Sequence, residues 1–160
     1  MRILKTGLAV FVCLLFSFLR SDPSSTAIYA GFTAILSLKE NVEQSIMSAL
    51  SRTRATALGA LLGVLAIVIK VSTGMPIKNA LYFFIVSALV MFVIWLSVLL
   101  NIPESAVLGA IIVLSIALNP KAIDFASGLS LAIRRFEDTF IGIVVTIPIN
   151  HLLPAKKYGN

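Results

Sequence analysis

Charge is scarce in this sequence. Only 12% of its 160 residues are Asp, Glu, Lys or Arg, about half the share a domain needs to solvate a water-facing surface. With 59% hydrophobic residues and a mean hydropathy of +1.02, a soluble globular domain is excluded and an integral membrane protein is implied. Cysteine is nearly absent. The single Cys13 lies in an apolar run, so no intrachain disulfide can form. Histidine is represented by His151 alone, and no Cys/His/carboxylate cluster has metal-ligand spacing. The sequence also offers no nucleophile–base pair and no phosphate-cradling glycine loop, so neither an enzyme nor a cofactor is expected. The net charge of +6 is dispersed along the chain. A nucleic-acid partner would require it gathered on one face. Anionic membrane lipids or an anionic solute remain as partners.

The segment "MRILKTGLAVFVCLLFSFLRSDPSSTA" resembles a secretory signal, with Arg2 and Lys5 before an apolar stretch. Arg20 and Asp22 stand where small cleavage-site residues should begin. It is read as a retained first membrane helix.

Apolar stretches free of charge mark six candidate spans, since an ionised side chain in hydrocarbon costs several kcal/mol, about 3 on insertion scales. The first lies between Lys5 and Arg20; the others cover 24–38, 55–69, 79–100, 105–118 and 139–153. Several fall short of the ~20 helical residues that cross a bilayer. Snorkelling flanks or local bilayer thinning complete them. Two linkers carry their own periodicity. "NVEQSIMSALSR" spaces Val42, Ile46 and Leu50 four apart, with Glu43, Gln44 and Ser48 elsewhere around the helix. "AIDFASGLSLAIRR" does the same with Ile123, Phe125, Leu129 and Ile133. Each reads either as an interfacial amphipathic helix or as an N-terminal extension of the span that follows.

The chain repeats itself. Arg52-x-x-x-Thr56-x-x-Gly59 recurs as Arg135-x-x-x-Thr139-x-x-Gly142, an offset of 83 (52 to 135). Lys5-x-Gly-Leu8-x-x-Phe11 recurs as Lys78-x-Ala-Leu81-x-x-Phe84, an offset of 73 (5 to 78). Gly31 with Leu36-Ser37 recurs as Gly109 with Leu114-Ser115, an offset of 78 (31 to 109). Three motifs in the same order imply a duplicated three-span unit. Because three is odd, the second copy enters the membrane from the opposite side. The expected fold is all-α: six transmembrane helices as two inverted three-helix repeats, about 1–74 and 75–154, in a single domain with a short basic tail at 155–160. Such architectures place a solute site near the midplane.

Arg, Thr and Gly at spacings of four and three share one helical face. The guanidinium is a planar fork that holds a carboxylate bidentately. Thr adds a hydroxyl one turn deeper. Gly allows another helix or a solute to approach. Arg52, Thr56, Gly59, Arg135, Thr139 and Gly142 are therefore candidate substrate-path residues, with the arginines expected near helix N-termini whose backbone N–H groups also favour anions. A purely structural alternative is that the arginines snorkel and that Gly59-x-x-x-Gly63, matched by Gly142-x-x-x-Thr146, packs helices. Gly63, Thr146, Gly31 and Gly109 are assigned to such packing. In the second span Thr26, Tyr29, Thr33 and Ser37 form a stripe at spacings of three, four and four, a candidate pore lining. The competing reading is hydroxyls bonded back to their own helix. The acids lie near predicted span ends. Glu137 and Asp138, beside Thr139, are the candidates for proton coupling, against the plainer role of ion-pair partners for Arg134 and Arg135.

Cations give no orientation. With a cytoplasmic N-terminus, Arg2, Lys5, Lys39, Arg52, Arg54, Lys156 and Lys157 fall inside, and Arg20, Lys70, Lys78, Lys121, Arg134 and Arg135 outside. Seven against six is no positive-inside bias. Cations serving an anion path, or dual topology, both produce that balance.

The runs "YAGFTAILSLKENVEQSIMSALSRTRATALGALLG" and "RRFEDTFIGIVVTIPINHLLP" resemble the aromatic acid exporter family, part of the fusaric acid resistance superfamily that includes plant aluminium-activated malate channels. The resemblance implies a six-span, multi-pass cell-membrane domain that handles organic anions; the expected activity is that of a transporter or channel for organic anions, with export of aromatic carboxylates, working as a homo-oligomer. Many relatives carry a cytosolic helical domain after the spans, so functions housed there are not assumed. A non-transporting membrane subunit that binds a partner through its small-residue faces is the second hypothesis.

Overall fold

A computed structural model describes residues 2–19, 31, 33–35 and 42–152. Every regular element among them is helical. Helix α1 covers Arg2–Leu19, α2 Val42–Thr73, α3 Ala80–Leu99, α4 Ala106–Ala117 and α5 Phe125–Leu152. A single 3-10 turn, Pro103–Ser105, leads into α4.

Local chemistry sets the boundaries. Helix α2 stops at a left-handed Gly74, φ 64°. There the Met75 N–H reaches the Lys70 carbonyl and the Gly74 N–H the Val71 carbonyl, at 3.2 and 3.3 Å, and Pro76 follows. This double bond pattern satisfies the last free carbonyls of the helix. Helix α3 ends the same way with Asn101 in the left-handed position, φ 56°, and its neighbour Ile102 bonded back to Ser97 at 2.9 Å. Asn79 caps the start of α3, its side-chain oxygen accepting from the Leu81 N–H at 3.0 Å. Asp124 and Ser127 cap α5 reciprocally. The Ser127 N–H donates to the Asp124 carboxylate at 2.9 Å, and the Asp124 N–H donates to the Ser127 hydroxyl at 3.0 Å. This is a capping box with Ser in the returning position. Pro148 sits inside α5, where its ring leaves the Val144 carbonyl without the usual N–H donor.

Among the described residues two helices are long and apolar enough to cross a bilayer, Glu43–Thr73 and Ala80–Leu99. Helix α4, at 12 residues, rises only about 18 Å. The expected second span falls largely outside the described residues. Both periodic linkers prove to be the first turns of α2 and α5, not separate interfacial helices. A helix already hydrogen-bonded at its N-terminal turns propagates more readily than it is broken and renucleated.

Their apolar stripes face outward. Ile46 and Leu50 are exposed, 43% and 56%, while Ser45 and Ser48 are buried. Phe125, Leu129 and Ile133 likewise face outward. In hydrocarbon the apolar side is the solvated one, so an amphipathic stripe turns its polar residues inward.

The chain forms two compact units, 1–50 with 137–160 and 51–136. In the first, Ala9 and Cys13 of α1 pack against Val145 and Ile149 of α5, together with Ala34. In the second, Tyr82 and Val86 of α3 meet Ala66 and Ala117. Val93 meets Ala110 and Val113, and Ile67, Leu108, Ile112, Ile116 and Ala132 form a third cluster.

Candidate functional site

The paired motifs occupy matching places. Helix α2 begins at Val42 and α5 at Phe125, so Arg52 and Arg135 are each the eleventh residue of their helix, with Thr56 and Thr139 one turn on. Both arginines are buried, 5% and 4% exposed, and both threonines are buried with them. Their neighbours Arg54 and Arg134 are exposed. The arginines therefore lie three turns inside continuous helices, beyond the four N–H groups left open at a helix start. The expected contribution of free backbone N–H groups does not arise. Whatever anion-binding capacity the motif has belongs to the side chains.

On α2 the buried polar positions run Ser45, Ser48, Arg52, Thr56, at spacings of three, four and four. The two serines were not among the candidates read from the sequence. Extending the motif backward in helical steps would have found them. On α5 the corresponding face carries Arg135, Asp138, Thr139, Gly142 and Thr146, all buried. Asp138 is fully buried and is the one buried acid among the described residues. Glu137 is half-buried, and Glu43, Glu104 and Asp124 are exposed. Asp138 is thus an interior residue of its helix, the fourteenth of α5. Glu104, on the 3-10 turn before α4, is the acid whose charge acts on the Arg52 guanidinium within the second unit. The Lys70 ammonium donates to the Ala122 carbonyl and is buried. It joins the end of α2 to the turn before α5.

Arg52, Thr56, Gly59 and Arg135 belong to the second unit, and Thr139, Gly142, Thr146 and Thr33 to the first. Thr33 is buried; its proposed stripe partners Thr26, Tyr29 and Ser37 lie outside the described residues. Gly31 is also buried. Thr146 donates to the Gly142 carbonyl at 2.6 Å, and Ser115 to the Ile112 carbonyl at 2.9 Å. Gly59 sits on the backbone of α4. A Cβ there would lie 2.5 Å from the Gly109 carbonyl oxygen, and one on Gly63 would lie 2.9 Å from the Ile116 Cβ. Successive contacts 59–109 and 63–116 advance together, so α2 and α4 run parallel at their crossing.

Guanidinium and hydroxyl groups of the kind that pair with carboxylates therefore sit on buried faces of both α2 and α5. No group of His, Cys, Asp and Glu able to hold a metal occurs among the described residues. A family model described as "Aromatic acid exporter family member 1" matches residues 1–153. No curated protein and no solved structure matches the chain.

Proposed function

Since the chain belongs to the aromatic acid exporter family, a family of membrane transporters, we propose that it moves small organic anions, chiefly aromatic carboxylates, across the cell membrane as a multi-pass homo-oligomer. In this reading Arg52, Thr56 and Arg135 serve the anion path, and Thr139, Gly142, Thr26, Tyr29, Thr33 and Ser37 are its further candidates; Gly59 instead packs against α4. The observation that carries it is the burial of both repeated arginines at the same position of two equivalent helices. Arginines that only mark topology keep their heads in water. A buried guanidinium carries a desolvation cost of several kcal/mol, roughly, and intramembrane charges of this kind mark ion and substrate routes.

Inverted repeats are supported by the helix starts, which differ by the same 83 residues as the motifs (42 to 125). The cores agree. Ala9, Cys13 and Ile149 in one unit correspond to Tyr82, Val86 and Ala66 in the other, at the same offsets of 73 and 83. In this reading the repeats exchange their third helices: the second half of α2 serves the unit of α3 and α4, and that of α5 serves the unit of α1. A partner-binding subunit is less well supported, because the Gly59/Gly63 face it would use is occupied by α4 within the chain.

Liposomes containing the purified protein, loaded with aromatic or aliphatic carboxylates, test the proposal. Arg52→Gln and Arg135→Gln should each weaken apparent anion affinity about tenfold or more, the loss of one charge-assisted pair. Lys should restore only part of it, lacking the fork. Thermal unfolding measured on the same samples separates affinity from folding. Folded Gln variants with normal transport would remove the arginines from the path.

A further inference from the structure

A groove of about 390 Å³ runs between α2 and α5 in the second unit, lined by Ala57, Ala60 and Val64 on one side and Leu129, Ala132 and Phe136 on the other, with Phe125 at one end. None of its lining side chains is polar, so nothing in it can orient a carboxylate, and it is separate from the buried arginines. From Phe125 to Phe136 it follows eleven helical steps, about 16 Å. That is roughly half of a ~30 Å hydrocarbon core, the depth of one leaflet. A narrow apolar channel of that length matches a single extended hydrocarbon chain.

Charge identifies the end at which such a chain enters. The turn after α2 and the turn before α5 lie together, joined by the hydrogen bond from Lys70 to Ala122. They form the polar end of this unit, where Phe125 opens the groove. This end carries exposed Lys78 and Lys121. Its one acid, Asp124, is occupied in the cap, accepting from the Ser127 N–H. A phosphate meets excess positive charge here, worth on the order of 1 kcal/mol per lysine at an anionic surface.

We propose that this groove is a binding site for one acyl chain of an anionic phospholipid, whose phosphate rests by Lys78 and Lys121. The chain then lies along Leu129 to Phe136 and reaches the middle of the bilayer. The site fixes the lipid by shape at the tail and by charge at the head, and it is independent of the anion path.

Native mass spectrometry of the detergent-solubilised full chain, with equimolar phosphatidylglycerol and phosphatidylcholine, tests it. The wild type should retain phosphatidylglycerol in preference. The double variant Lys78→Gln/Lys121→Gln should lower that preference at least fivefold while still binding lipid. Ala57→Phe should lose the adducts of both lipids. Ile133→Trp, at an exposed position lining the same groove, gives the same result without burdening the core. Circular dichroism confirms that each variant is folded. Equal retention of the two lipids by the wild type overturns the headgroup contact. Folded groove-filling variants that keep their phosphatidylglycerol overturn the site. A filled groove that changes subunit number with lipid count intact assigns the surface to a second copy and overturns the lipid reading.

Discussion

Gly59 of α2 and Gly109 of α4 meet backbone to backbone, with room for no side chain between them: a Cβ on Gly59 would stand 2.5 Å from the Gly109 carbonyl oxygen. The opposing atom is main chain and cannot rotate away, so Gly59→Ala must push the helices apart. A cost of about 1–3 kcal/mol is expected, as for other overpacked cores, read as a lower thermal midpoint in detergent. Gly128→Ala offers a contrast. Its Cβ would lie 2.7 Å from the Ile67 Cδ1, and the next atoms are at 3.4 and 3.5 Å. Removing that methyl with Ile67→Val should recover most of the loss, whereas no single side-chain deletion should rescue Gly59→Ala.

Tyr82 is fully buried, and its hydroxyl donates to the Ala117 carbonyl at 2.8 Å. That carbonyl is the last of α4, where no helical N–H follows. Tyr82→Phe keeps the ring and leaves the acceptor dry, so stability should fall by about 1–3 kcal/mol. Chemical or thermal unfolding checks it. A Tyr82→Phe variant as stable as wild type would mean that water reaches the end of α4.

The Asp124 carboxylate is held below its ordinary pKa by hydrogen bonds from Ser127, side chain first and then backbone. A lowered folded-state pKa stabilises the fold above the unfolded carboxylate value, and the gain fades as pH falls through the folded value. Asp124→Ala should therefore reduce the thermal midpoint near neutral pH and converge with the wild type in acid. Asp124→Asn, which keeps an acceptor without a titrating proton, should show a flatter profile. Parallel curves for wild type and Asp124→Ala across the whole range would exclude the carboxylate as a cap.

Much of this was legible beforehand, and the misses have separate physical causes. Apolar runs bounded by Lys70, Gly74 and Pro76, or by Asn119 and Pro120, placed helix ends well because turn chemistry is local. The spacing of Arg52, Thr56 and Gly59 placed all three on one buried face. Ser45 and Ser48 were not singled out, because the periodicity of that stretch was followed through its apolar residues alone. The depth of Arg52 and Arg135 was misjudged because charge-free runs were used to find helix starts. A helix can carry a charged residue inward when its own face is buried, and then its start lies upstream of the charge. Asp124 and Ser127 signalled that upstream start for α5, but α2 offers no comparable mark in the described residues. Contacts such as Gly59 with Gly109 depend on which helices become neighbours, and periodicity alone does not specify that.

The division into 51–136 and 1–50 with 137–160 also sets an order of events during synthesis. Every residue of the second unit is present once Phe136 has been made, so it can close without either terminus. Helix α1 has no such opportunity. Besides Ala34, the partners of Ala9 and Cys13 are Val145 and Ile149, which leave the ribosome about 136 residues after Ala9 (9 to 145). At ~5–20 residues per second that is on the order of ten seconds or more. For that interval this cluster holds Ala34 but none of its α5 residues, and α5 completes it last.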